Sequence, residues 1–323
     1  MRAKKLIPLL ALTTCFSCLG GCTQPDQKIS FNNYWQYDSL TQENTHEILT
    51  YDVEYDKGSA SPLFDYSLEY SDGRYITELA TATENGKNVV VYKTELNITV
   101  VYSFNGKNSE PFHDKVVTET KFYTSENALR PISAFKEILS TSPAGGASSL
   151  ATCYQTFHYE TNTVYNEDCS GGTCTVTRDP DGENPTTKTN EFSFDEDKYS
   201  RLDNDQLLFA LRCIPTTVSS AKAQIYSPFI QSEQTVSFSF AQDAGASFTY
   251  NDNGTDKTKD ITYRPVSIVL DEQNPGATQT AWYAKMTDST KNTHRNVMLR
   301  LETPLSYGFG SLVYKLKSVQ YGE

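Results

Sequence analysis

The sequence predicts a mainly β protein: an antiparallel sheet of hairpins in a meander, carrying one or two short helices. Three observations lead there. Apolar and polar residues alternate at period two through much of the chain. Asn-Gly and Asp-Gly pairs recur at short intervals between those stretches. Tyr (21) and Phe (16) are abundant while Met (3) and Trp (2) are scarce, a composition that suits sheet.

The elements follow in chain order. In ILTYDVEY, Leu49, Tyr51, Val53 and Tyr55 share one face, and Thr50, Asp52 and Glu54 share the other. DYSLEY repeats the pattern with Tyr66, Leu68 and Tyr70. ELNITVVYSF sets Leu96, Ile98, Val100, Tyr102 and Phe104 against Glu95, Asn97, Thr99 and Ser103. Val236, Phe238 and Phe240 alternate in TVSFSF, as do Val297, Leu299 and Leu301 in VMLRL. Strands with one wet face belong to antiparallel sheets. Asp72-Gly73, Asn85-Gly86, Asn105-Gly106 and Asn253-Gly254 are expected to turn hairpins, because both central residues of such turns need positive φ.

Helical signal is sparse. DNDQLLFALRC (203–213) offers Asp203 as a cap, Gln206 three residues on to complete a capping box, and Leu207, Leu208 and Leu211 as an apolar face. SENALRPISAFKEIL (125–139) is ambiguous: Pro131 forbids an uninterrupted helix and pushes Arg130 towards an extended conformation. Arg130-Pro131-Ile132-Ser133 returns as Arg264-Pro265-Val266-Ser267, an echo of four residues. Within a β domain over 45–323, two halves would meet at the small-residue loop TSPAGGASS (141–149). RDPDGENPTTK (178–188) is the other loop-rich stretch.

The amino terminus carries a separate message. Arg2, Lys4 and Lys5 precede LIPLLALTTCF, an apolar run of signal-peptide length and too short to span a bilayer. Leu19, Gly20 and Gly21 then lead directly into Cys22. This order of charge, apolar run, Leu, two small residues and Cys resembles a bacterial lipoprotein signal with its lipobox. The resemblance implies a signal peptide over 1–21, cleavage between Gly21 and Cys22, a diacylglyceryl group on the Cys22 thiol, and acylation (palmitate or similar) of the new terminus. Two or three chains, at about 0.8 kcal/mol per buried methylene, hold a protein on a membrane where one would let it go. The implied location is the extracytoplasmic face of the cell membrane or outer membrane, with residues 22–44 as a polar tether. No second apolar run reaches transmembrane length.

Removing residues 1–21, with three basic residues and no acids, leaves 302 residues and takes the net charge from −12 to −15. A chain so acidic is a poor partner for nucleic acid or anionic headgroups.

Four cysteines remain besides Cys22, and an even number outside the cytoplasm argues for disulfides. Cys169-Ser-Gly-Gly-Thr-Cys174 brackets a tight loop, so a 169–174 bridge is expected, leaving Cys153 with Cys213. The alternative is a zinc site with His158 nearby, which lacks a second close Cys pair. His46, His113, His158 and His294 show no short ligand spacing, and no G-x-S-x-G marks a nucleophile. Acids cluster in DPDGEN (Asp179, Asp181, Glu183) and in FDEDKYSRLDND (Asp195, Glu196, Asp197, Asp203, Asp205), yet Gly182 sits at the wrong offset for an EF-hand. Solvated turns and helix capping account for them. Tyr34, Trp35, Trp282 and Tyr283 are the residues that could stack on a sugar, against the commoner fate of packing in a sheet.

A sheet with one dry face must be covered, and the apolar helix late in the chain can cover it. Hairpin strands with Leu207, Leu208, Phe209 and Leu211, behind a lipobox, are similar to the lipoprotein-carrier superfamily of the bacterial envelope. That similarity implies a half-barrel curled around a helix, with lipid or acyl chains in the cleft. The function expected is therefore non-catalytic binding of an apolar ligand, with a surface glycan- or protein-binding lipoprotein as the alternative and an envelope hydrolase as a further one. No cofactor or metal is expected.

Overall fold

The computed structural model describes residues 28–32, 46–58, 66–84, 86–124, 128–194, 198–270, 278–285 and 296–322. Seventeen strands run through them. The first nine are β1 (His46–Asp56), β2 (Tyr66–Glu84), β3 (Lys87–Phe104), β4 (Lys107–Asn108), β5 (Phe112–Tyr123), β6 (Arg130–Pro143), β7 (Tyr154–Tyr165), β8 (Gly171–Arg178) and β9 (Thr186–Ser193). Then come β10 (Ser200–Asp203), β11 (Ser220–Ser227), β12 (Ser232–Phe240), β13 (Ala244–Asp252) and β14 (Thr255–Val269). The last are β15 (Gln279–Ala284), β16 (Met298–Pro304) and β17 (Ser311–Gly322). The one α-helix among the described residues, α1 (Leu207–Ala210), lies between two 3-10 turns, Asn204–Gln206 and Leu211–Cys213.

Backbone ladders join the strands into one long sheet. On one side of β17 run β1, β2, β3, β5, β6, β7, β8 and β9, each antiparallel to the last. On the other side run β16, β15, β14, β12 and β11, again antiparallel. The fold is mainly β, as expected, but two contacts break the antiparallel rule. Strand β10 runs parallel to β11, because residues 204–219, helix included, form the crossover that parallel neighbours need. Strand β13 pairs with β14 and touches β17 in parallel at Asn251 and Asp252, closing a ring of β13, β14, β15, β16 and β17.

Turn chemistry holds at three of the four expected sites. Asn105-Gly106 (φ 49° and 74°) and Asn253-Gly254 (φ 48° and 84°) make two-residue turns. Glu84 pairs with Lys87 around the third, whose Asn85 lies outside the described residues. Asp72-Gly73 is not a hairpin. Strand β2 runs through it, and the pair forms a bulge between Ser71 and Arg74. Strand β1 pairs alongside through Val53 and Gly73, and the approach is close enough to need glycine: a Cβ there would lie 2.4 Å from the Val53 carbonyl oxygen.

The ambiguous stretch at 125–139 resolves into β6, with Pro131 at a bulge opposite Phe122. The loop after it joins β6 to β7, which pair from Pro143–Tyr154 onwards, so the sheet continues through the place where two halves might have met. The four-residue echo has no common role. Arg130 is exposed, whereas Arg264 is buried against the Phe240 ring and donates to the Pro215 and Val218 carbonyls.

Alternation foretells the core. Leu49, Tyr51, Val53, Leu68, Ile98, Val100, Tyr102, Val236, Phe238, Leu299 and Leu301 are all buried. The helical segment sits inside the curl of the sheet. Phe209, fully buried, packs on Tyr92 of β3 and Phe122 of β5 at 5.6 and 5.2 Å between ring centres. Tyr283 of β15 donates to the Leu208 carbonyl at 2.8 Å, and Arg212 reaches Glu47 of β1. Strands β1, β3, β5 and β15 therefore face one plug.

Candidate functional site

The two ends of the sheet approach each other along a seam. Among the described residues no backbone ladder crosses it, and side chains close it instead. At one end the contacts are largely aromatic: Phe192 of β9 stacks on Tyr226 of β11 at 4.0 Å, and Phe229 meets Phe157 and Tyr159 of β7. At the other end they are polar. Tyr165 Oη donates to Asp203 Oδ2 at 2.6 Å, and Lys136 Nζ donates to Asp205 Oδ1 at 2.6 Å. Arg201 Nη1 donates to the Cys169 carbonyl at 3.3 Å, and Gln206 Nε2 to the Leu129 carbonyl at 3.3 Å.

A groove of about 380 Å³ opens at this polar end. Four separate segments build it: 28–31, 128–130, 168–169 and 199–201. The first is pinned by Ile29 N donating to Ser200 Oγ at 2.8 Å and by Asn32 N donating to the Cys213 carbonyl at 2.8 Å. Ile29, Phe31 and Leu129 give the groove apolar walls, with Phe31 and Leu129 buried. Lys28, Arg130 and Arg201 line it together with Asp168, whose carboxylate feels the Arg201 charge. Hydrogen bonds from Ser170 hold Asp168 below the usual carboxylate range, so it stays ionised. The Cys169 thiol on the wall is pushed up by burial, which keeps it protonated and unreactive.

Deeper in the seam, burial and then the neighbouring Asp205 raise Asp203 to about 6. Burial works against the Lys136 ammonium, but Asp205 outweighs it and holds Lys136 above its ordinary value. The capping box is present as expected: Asp203 Oδ1 accepts from Asp205 N, and Asp203 N donates to Gln206 Oε1, both at 2.8 Å.

The predicted bridges are absent, and all four cysteines are buried free thiols. The β7–β8 register explains the first: Cys174 stands opposite Thr163, while Cys169 sits at the hairpin tip with its thiol on the Pro131 carbonyl at 3.4 Å. For the second, Cys153 and Cys213 belong to different clusters, one beside Tyr66 and Tyr102, the other in the main core. Their thiols donate to Ser149 and Phe209 carbonyls within their own turns.

The histidines stay apart. His46 contacts Glu78 at 3.0 Å, His113 contacts Thr99 at 3.2 Å, and His158 lies 3.9 Å from Asp181. Among the described residues no three His, Cys, Asp or Glu side chains gather as metal ligands. Asp179, Asp181 and Glu183 occupy the exposed β8–β9 loop, where Gly182 N donates to the Asp179 carbonyl. Trp282 and Tyr283 point to opposite faces of β15. Tyr283 is buried, and Trp282 has Tyr263 stacked at 4.7 Å on the β14 side and Arg300 at 4.8 Å on the β16 side. Neither indole face is left for a sugar. Gly21, Cys22, Tyr34, Trp35, Asp195, Glu196, Asp197 and His294 lie outside the described residues.

Among the described residues, the cleft implied by the carrier resemblance holds the helical plug. Leu207, Phe209 and Leu211 are buried against the strands, and gaps beside the helix and inside the five-stranded ring measure about 20 Å³ each. That is room for one water, not for an acyl chain. The groove residues Lys28, Arg130, Tyr199 and Arg201 carried no sequence signal, since only the closing of the seam brings their segments together.

No family model matches the chain, and no curated protein matches it. Among solved structures it is similar to a β-barrel-like protein of a domain of unknown function, DUF1849, from Brucella abortus. The likeness has a TM-score of 0.49 and 8% identity, over 87% of this chain and 99% of that one.

Proposed function

We propose that this protein is held by lipid on Cys22 at the extracytoplasmic face of a bacterial membrane, and that it binds a small acidic amphiphile in the seam groove. Binding, not turnover, is its activity. The supporting observation is the pairing of apolar walls at Ile29, Phe31 and Leu129 with the cations Lys28, Arg130 and Arg201 in one concavity of about 380 Å³. Its size falls in the usual range of ligand pockets, about 300–1,000 Å³.

Calorimetric titration of the mature chain with decanoate and decanol tests this. Decanoate is expected to bind at least ~10-fold more tightly than decanol, the scale of one charge-assisted contact. Arg130→Gln together with Arg201→Gln removes that difference and leaves decanol unchanged. If neither compound binds, the groove is not the ligand site.

A further inference from the structure

Among the described residues the seam is held by side chains and not by a backbone ladder. Every other strand neighbour is joined by a backbone ladder, so separating them breaks a row of hydrogen bonds. Across the seam the polar end depends on a few side chains, and Asp203 is their hub. It ends β10, caps the helical plug, accepts from Tyr165 of β7, and through Gln206 ties the plug to Leu129 on the groove wall. Facing Asp203 are Asp205 from its own turn, Lys136 from β6, Tyr165 from β7 and Cys174 from β8, with Tyr159 of β7 beyond Lys136. Two carboxylates thus share one lysine, with Asp203 buried and Lys136 and Asp205 partly exposed.

We propose that this seam, at the floor of the groove, is a pH-responsive gate, closed while Asp203 carries a proton and released when it ionises beside Asp205. Burial first, and Asp205 second, hold the Asp203 carboxyl at about 6 in the closed seam. Parting the strands returns it to water and to the ordinary carboxylate value near ~4. The closed form therefore keeps a proton that the open form gives up. Closure is favoured on the acid side, and the opening equilibrium rises as pH climbs from about 4 to about 6, then levels off. The closed gate also covers the way from the groove, past its Leu129 wall, to the apolar plug. Only the gate's role as a ligand entrance rests on the groove reading above. The opening itself does not.

Hydrogen exchange of the full mature chain at pH 4.5 and 7.5, corrected for the intrinsic rate, measures the opening without any ligand. Peptides over 129–136 and 200–213 are expected to lose protection roughly 20-fold at the higher pH, a change that persists in an Asp114→Asn background. Asp203→Asn abolishes the difference. Asp205→Asn, which leaves Asp203 titratable but removes the like charge, moves the transition to lower pH and serves if the first variant does not fold. Equal protection of the seam at both pH values overturns the gate, as does an Asp203→Asn protein that keeps the wild-type dependence. A pH-dependent seam in a protein that binds neither decanoate nor decanol leaves the gate standing and removes the groove reading. Binding with a pH-independent seam does the reverse.

Discussion

Glu47 and Arg212 are 1% and 3% exposed, and their two hydrogen bonds measure 2.6 and 3.1 Å. Burial opposes the charged guanidinium, and the Glu47 carboxylate outweighs it, so Arg212 stays above its ordinary value. Removing one partner strands the other charge in the core. Glu47→Gln is expected to cost about 3–5 kcal/mol in urea unfolding, and Glu47→Leu with Arg212→Met to recover most of it. A loss under 1 kcal/mol for the single variant would show that the pair is not desolvated. Asp114 makes the complementary case. Burial raises it to about 6 although Thr141 donates to it from both its backbone N and its hydroxyl. Its folded value lies above the unfolded one, so the native state holds the extra proton. The contribution is full on the acid side and is lost as pH rises from about 4 to about 6. Asp114→Asn should flatten that part of the Tm–pH curve and, at pH 7.5, leave the protein no less stable. Loss of stability at pH 7.5 would contradict the assigned direction.

Among elements, the bulge in β2 and the plug were legible to different degrees. The plug is three short helical pieces, far below the length at which a helix is stable alone. It was nevertheless readable, because Asp203 and Gln206 stand at capping-box spacing and the apolar face follows at once. The bulge was not. Asp72-Gly73 has the chemistry of a hairpin turn, and Asp72 does adopt φ 53°. What overrules the turn is pairing with β1, where Val53 stands opposite Gly73 so closely that its carbonyl oxygen and Cβ would lie 2.4 and 2.8 Å from a Cβ at position 73. Gly73→Ala should therefore cost about 2 kcal/mol or more in thermal unfolding, because backbone must move. Gly254→Ala meets open space at φ 84° and should cost only the left-handed strain, about 1 kcal/mol. Equal losses at the two glycines would remove the crowding argument.

For the whole molecule, two questions stand apart: where it resides, and where it opens. In the function proposed above, the first depends on a single thiol outside the described residues. Cys22→Ser is expected to abolish incorporation of an alkyne palmitate label and to move the protein from the membrane pellet to the soluble fraction. Labelling retained in that variant would rule out Cys22 as the attachment point. The second depends on the seam, where the ends of a fifteen-strand run of neighbours meet through side chains.

The sequence by itself determined the alternating faces within β1, β2, β3, β12 and β16, three of four hairpin turns and the capped plug. Each rests on interactions between residues close in the chain, so local pattern suffices. Only the tertiary structure decided that Cys153, Cys169, Cys174 and Cys213 stay apart, that the plug fills its cleft, and that a cationic groove forms where β10 meets β6 and β7. Those outcomes depend on how a long sheet twists until its ends meet. Period-two alternation says which face of a strand is dry, but it is silent about which distant strand that face will find.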